Sequence, residues 1–113
     1  MLRLKADLWV MAYVRTCNAT GAASYVVRKG DEHAGSIFIR ISHLNGTSEL
    51  YAPAAAGLAE VAVERRWSRR LQATDAEIDA LIAREINIDR DLWLIEVEDR
   101  QGRHFLDEWL ISG

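Results

Sequence analysis

The residues of this 113-residue chain that could do chemistry fall into three groups. The most distinctive is Arg65-Arg66-Trp67-Ser68-Arg69-Arg70. Guanidinium groups suit phosphate contacts and an indole suits base stacking, so Arg65, Arg66, Trp67, Arg69 and Arg70 are candidate binding residues for a nucleic acid. The whole chain is acidic, with a pI of about 5.6, whereas nucleic-acid domains are usually basic. In a strand the arginines would also split between two faces. The preferred reading is therefore internal pairing of this basic stretch with the acidic last third.

The second group is histidine with carboxylates. His43, before a predicted hairpin turn, and His104, after a later turn, could each act as a general base if carboxylates converge on them. Glu96, Glu98 and Asp99 could do acid–base work, but they sit on a strand face expected to meet solvent. Asp31, Glu32 and His33 read as a solvated turn, because three consecutive residues rarely point at one ion. No metal site or cofactor is expected. Cys17, the only cysteine, lies on an apolar helix and reads as an inert packing residue. The third group is the apolar end of the chain, where Trp109, Leu110 and Ile111 need a core or a partner. No catalytic residue is assigned.

These residues must be carried by a small set of elements. Asp7 to Asn18 is predicted helical, with Asp7 as N-cap and Val10, Tyr13, Val14 and Cys17 at helical spacing. Leu8, Trp9 and Met11 widen its apolar surface, so burial on most sides is expected. A buried strand is the competing reading for Leu8 to Val14. Ser24 to Arg28 and Ser36 to Ser42 read as strands, the second alternating Ile37, Ile39 and Ile41 against Phe38 and Arg40. Asn45-Gly46 signals a type I′ hairpin turn into a strand over Thr47 to Ala52. The three together suggest an antiparallel meander.

Pro53 to Ala62 reads as an irregular crossing. Glu64 to Leu71 reads as a strand with Trp67, Arg69 and Leu71 on one face, a helix being the alternative there. Thr74-Asp75-Ala76-Glu77 fits a capping box opening a helix over Thr74 to Asn87, with Ile78, Leu81, Ile82 and Ile86 as its apolar stripe. Leu92 to Glu98 is predicted as a strand with Trp93, Ile95 and Val97 toward the core. Asp99 to Gly102 turns the chain, and Arg103 to Leu106 is placed to pair back. The expected architecture is a single α+β domain over residues 1–113. It has a mainly antiparallel sheet of four to five strands with two helices packed on one face, and residues 107–113 as an accessory tail.

Composition bounds the rest. No apolar run approaches the about twenty residues of a helical membrane span, and the start does not read as a signal peptide, so a cytoplasmic protein is expected. Twelve of the fourteen basic residues are arginine. A GC-rich genome accounts for this bias, and the alternative is selection for bidentate anion contacts. Charge is uneven. Residues 1–46 carry six basic and three acidic groups, residues 47–74 four and three, and residues 75–113 four and eleven.

Several segments taken together carry a resemblance. They are Arg3-Leu4-Lys5-Ala6-Asp7-Leu8-Trp9-Val10, Val27-Arg28-Lys29-Gly30-Asp31 with Ala34-Gly35, Asp91-Leu92-Trp93, Glu96-Val97-Glu98-Asp99-Arg100 and Gly102-Arg103-His104-Phe105. The chain resembles, over residues 3–106, an uncharacterised domain-of-unknown-function family of short alphaproteobacterial proteins. The resemblance implies a stand-alone cytoplasmic bacterial protein and brings no activity, cofactor or catalytic residue. The preferred functional expectation is a non-catalytic binding module for an unknown protein partner or a second copy. Nucleic-acid binding through the Arg65–Arg70 stretch is the alternative, and a small enzyme using His43 or His104 the second alternative.

Overall fold

The computed structural model describes residues 4–54 and 65–111. The described elements run α1 (Ala6–Ala19), β1 (Ala23–Arg28), β2 (Ile37–Ser42), β3 (Thr47–Pro53), β4 (Trp67–Thr74), α2 (Asp75–Ile88), β5 (Trp93–Glu98) and a short 3₁₀ turn, Asp107–Trp109. The crossing expected over 53–62 lies, from residue 55 onward, outside the described residues.

The five strands form one sheet in the order β1-β5-β2-β3-β4. The meander expected from the first three strands is corrected in one respect. β1 pairs antiparallel with β5, and β5 lies between β1 and β2, parallel to β2. The antiparallel run is β2-β3-β4 instead. A central strand is buried on both faces, and β5 shows why its neighbours could not be chosen locally. Trp93, Ile95 and Val97 join the α1 side, while Leu92 and Leu94 join the α2 side. The two helices therefore cover opposite faces of the sheet, not one face as expected. Glu96 is largely covered, with Arg40 at 3.8 Å joining it to Asp79 of α2, while Glu98 accepts from the exposed Tyr25 hydroxyl.

α1 forms as its spacing predicts. Ala6, Val10, Tyr13 and Cys17 recur on one side and are buried against Ile37, Ile39, Ile41, Ile95 and Val97. Its N-cap is Lys5, with Asp7 inside the first turn, where a carboxylate suits the positive end of the helix. α2 starts where the capping box predicts: the Glu77 N–H donates to Thr74 Oγ1 at 3.3 Å. The reciprocal bond differs, because the Glu77 carboxylate accepts from the Thr74 hydroxyl. The β2–β3 hairpin closes at His43 N–H to Thr47 O, with positive φ at Leu44 and Gly46 and not at Asn45. Asn45 instead accepts from the Thr47 N–H and hydroxyl, which draws the turn into a three-residue loop.

Leu71 also changes sides. Tyr51 pairs with Arg69 and Leu50 with Leu71, so Arg70 is an extra residue in β4. A bulge of one residue flips the alternation beyond it. Trp67 stays on the α1 side and Leu71 packs on the α2 side.

The loop from β1 to β2 is set by glycine. Asp31 N–H donates to the Asp91 carbonyl at 2.9 Å, and Trp93 Nε1 donates to the Asp31 carbonyl at 2.8 Å. A Cβ on Gly30 would collide with the Asp91 carbonyl and the Trp93 ring. Gly30→Ala is expected to cost about 1–3 kcal/mol, as overpacking does. The check is a lower denaturant midpoint at unchanged slope.

Both edges of the sheet are blunted. On β1 the Asn18 carboxamide accepts from the Ser24 N–H and donates to the Ser24 carbonyl, both at 3.0 Å. A register shift between Val26 and Arg28 interrupts the same edge further along. On β4, Leu110 bridges Trp67 in parallel, and Ile111 N–H donates to the Trp67 carbonyl at 2.8 Å. Arg69 and Arg70 stand exposed beyond that bridge.

Candidate functional site

The arginine-rich stretch is divided among three environments. Trp67 is 1% exposed, and its ring lies 4.4 Å from that of Trp9. Its Nε1 donates to the Ile37 carbonyl at 2.8 Å. The stacking role that the nucleic-acid alternative gives Trp67 does not fit its place, because the indole fills the core under α1. Arg65 donates to the Leu4 carbonyl, and Arg66 is half-buried. Arg69 and Arg70 reach Glu49 at 3.3 Å and Glu85 at 3.2 Å. The Arg70–Glu85 bond matches the expected pairing with the acidic last third.

The C-terminal residues join the same wall. Trp109 meets Trp9 edge-on at 5.8 Å, and Trp109 and Leu110 pack half-buried against the α1 cluster. Ile111, also half-buried, is held through its backbone at the β4 edge. These residues find their own core.

Beside them a polar centre forms around Glu49, which sequence reasoning missed. Glu49 is buried on β3, on the face shared with Tyr51. Its Oε1 accepts from the Tyr51 hydroxyl at 2.9 Å and from Arg69, and its Oε2 lies 2.7 Å from His43 Nε2. Burial pushes the Glu49 carboxyl up, but hydrogen bonds from Tyr51, His43 and Arg69 outweigh it and hold the group below its usual range. Burial, and then the bond to Glu49, raises the Tyr51 hydroxyl far above its ordinary range. An ionised Glu49 can only accept, so His43 Nε2 is the donor in this pair. Gly102, with φ of +70°, passes so close that a Cβ there would press on the His43 ring.

His43 therefore meets a carboxylate, as the enzyme alternative requires. His104 does not meet it: its Nδ1 accepts from the Leu106 N–H, and its ring lies 5.3 Å from that of Tyr51. The arrangement can orient one imidazole. Its carboxylate takes three donors, from the residue that follows β2, from β3 and from β4, and so ties these strands together. The signal available in sequence was a lone acid alternating with Tyr51 on a strand.

On the other face Arg40 is the centre. It donates to Asp79, lies 3.3 Å from Asp75 and is 3.8 Å from Glu96. Burial raises the Glu96 carboxyl, Arg40 opposes this, and Glu98, Asp75 and Asp79 add to the rise. Here the basic first part of the chain meets the acidic last part. Asp99, with its carboxylate on the Arg103 guanidinium, ties the turn after β5. In the Asp31–His33 loop, Asp31 accepts from the backbone N–H of His33 and Ala34. No group of three or more His, Cys, Asp or Glu among the described residues could hold a metal ion.

The exposed apolar surface lies elsewhere. Leu8 and Met11 on α1 are 53% and 60% exposed, and Leu4 just before it is 53% exposed. Leu8, Met11 and Arg15 follow the spacing i, i+3 and i+7 along the side of α1 opposite Ala6, Val10, Tyr13 and Cys17, while Leu4 precedes the helix and its Lys5 N-cap. The expectation that α1 is buried on most sides is corrected: one side packs on the sheet and the opposite side is apolar and open. On the edge strand, Val26 and Val27 are also exposed.

Comparison with known proteins places the chain among relatives of the same length. Residues 4–107 match the model of a family described as a protein of unknown function, DUF1491. A crystal structure of a DUF1491 family protein from Caulobacter crescentus CB15 is 37% identical, covers 99% of this chain and 100% of its own, and has a TM-score of 0.80. An NMR structure of a DUF1491 family protein from that organism is 38% identical, with coverage of 99% for both chains and a TM-score of 0.80. The solution structure of a protein from A. tumefaciens is 39% identical, with 86% of each chain covered and a TM-score of 0.73. No curated protein matches the chain.

Proposed function

Because the chain belongs to the DUF1491 family, whose description carries no activity, we propose that it is a small non-catalytic interaction module of the bacterial cytoplasm, with the outer side of α1 as its contact surface. The observation that carries this reading is the pair Leu8 and Met11, each more than half exposed on the side of α1 away from the core, with Leu4 also exposed just before the helix. Single apolar residues on a surface need no explanation, whereas neighbouring ones on one helix face suit docking of the helix-in-groove kind.

The remaining residues support the same reading. The Glu49 carboxylate accepts from Tyr51 and His43 and from Arg69 of β4, which suits holding strands together. Arg69 and Arg70 engage carboxylates, and the Trp67 indole is inside, so the nucleic-acid alternative has less to stand on. The cytoplasmic assignment is supported by a lone buried cysteine and by bacterial relatives. Among the described residues no helix is long and apolar enough to cross a membrane.

The test is residue-resolved NMR of isotope-labelled protein inside bacterial cells. Amides of residues 6–15 are expected to broaden there relative to dilute buffer. A Leu8→Glu, Met11→Glu double variant is expected to keep its buffer line widths. Even line widths along the whole chain, or broadening centred on residues 65–70, would overturn the reading.

A further inference from the structure

We infer that His104 makes the C-terminal segment a pH-sensitive latch: its neutral imidazole fastens residues 106–111 to the fold, and protonation of the ring loosens them. The attachment at the root of the segment depends on charge state. His104 Nδ1 accepts from the Leu106 N–H at 2.9 Å. Leu106 is 0% exposed, so that N–H has no water to turn to. A backbone N–H can only donate, and the bond therefore needs a ring nitrogen with a lone pair. Imidazolium carries a proton on both nitrogens and offers none. Turning the ring over presents a carbon instead. Protonation thus strands a buried donor, which costs more than the loss of a bond at the surface.

The segment is held under constraint at its root and lightly beyond it. Phe105 has φ of 57°, a left-handed conformation that a bulky side chain seldom adopts. The His104–Leu106 bond closes across it, and the Tyr13 hydroxyl donates to the His104 carbonyl at 2.6 Å. Further along, Trp109 and Leu110 are half-buried, and Ile111 is joined to Trp67 through its backbone. Loosening the root therefore bares the β4 edge at Trp67 and the Trp9 side of α1.

The groups facing the ring do not compensate an added charge. Tyr51 of β3 lies 5.3 Å away, ring to ring, and Tyr13 of α1 sits at the His104 carbonyl. Burial first of all pushes both phenols far above their ordinary range, so both stay neutral. The Glu49 carboxylate bonded to Tyr51 is also taken up by His43 and Arg69. Within the same segment Arg103, a like charge, is held on Asp99, while Asp107 and Glu108 are exposed. Among the described residues no carboxylate pairs with the His104 ring.

Amide hydrogen exchange of the full chain at pH 8 and pH 5, corrected for the intrinsic pH dependence of exchange, tests this. Histidine ordinarily titrates near pH 6.5, so an open form that takes the proton gains roughly 30-fold over a docked form that does not at pH 5. Protection of the Trp109 and Ile111 amides is expected to fall by about that factor, while amides of β2 and β5 keep theirs. His104→Asn removes the titration and keeps an acceptor, because an asparagine side chain bonds the N–H two residues on. Its protection should be equal at both pH values. His104→Ala lacks the acceptor and should show low protection at both. Equal protection of the unmodified chain at pH 8 and pH 5 would overturn the latch. So would the same loss in His104→Asn, which assigns the titration to another group, or an equal loss across β2 and β5, which reports the whole fold.

Discussion

Replacing Trp67 with alanine is expected to cost about 3–5 kcal/mol of folding stability, the range for deleting a buried aromatic side chain. The indole is 1% exposed, stacks 4.4 Å from the Trp9 ring and donates its N–H to the Ile37 carbonyl. Its removal would leave a cavity where α1, β2, β3 and the C-terminal segment converge. It would also strand a carbonyl at the start of β2. A domain of this size holds about 5–15 kcal/mol in total, so the variant should be marginal at 37 °C. Guanidinium denaturation measures the loss. Arg70→Ala is the contrast: it breaks one exposed pair with Glu85 and should cost about 0.2–1 kcal/mol. A tryptophan serving as a surface stacking platform would give the opposite result, with little change in stability and a loss of nucleic-acid binding.

Glu49→Ala is the second large effect, at about 2–4 kcal/mol. Removing one member of a buried charged network costs more than the network contributes, because the partners lose their acceptor. Tyr51 and His43 are the partners that cannot turn to water; Arg69, about half exposed, can, which lowers the expected figure. Glu49→Gln separates charge from shape. The carboxyl is held below its usual range in the folded chain, so its contribution is complete above the unfolded value near 4.3. That contribution is lost as pH falls through the lower folded value. Denaturation of the unmodified chain and Glu49→Gln between pH 7 and pH 3 should therefore show a gap that narrows below about pH 4. Asp75 and Asp99 are lowered as well, by bonds from Ser48 and Arg103 first, but they are common to both proteins. A gap that widens on acidification would contradict the role described for Glu49.

Much of the fold was legible in the residues. The α1 and α2 spans, the Thr74 cap and the Ile37-Ile39-Ile41 alternation depend on neighbours within a turn or a strand, and they appear where the spacing puts them. The β4 faces were legible only as far as Arg69. Beyond it the bulge turns Leu71 to the other side, and nothing within that strand announces an extra residue. The candidate site was less legible still. His43 was visible as a residue able to use a carboxylate, but its partner sits six positions on, across a hairpin whose loop length Asn45-Gly46 alone misstates. Arg40 was assigned a face, yet its three carboxylates come from α2 and β5, more than thirty residues away in sequence.

The near balance of charge is the plainest case of the division. Composition by itself determined one small domain, too rich in apolar residues to stay disordered, with a basic beginning and an acidic end. Local spacing determined most of its helices and strands, because capping and amphipathic periodicity act over a few residues. Tertiary structure alone decided that β5 inserts beside β2, that the helices take opposite faces, and that Trp67 goes inward while Leu8 and Met11 stay out. Those outcomes rest on which distant surfaces bury one another. An apolar side chain carries the same local signal whether it faces its own core or a partner.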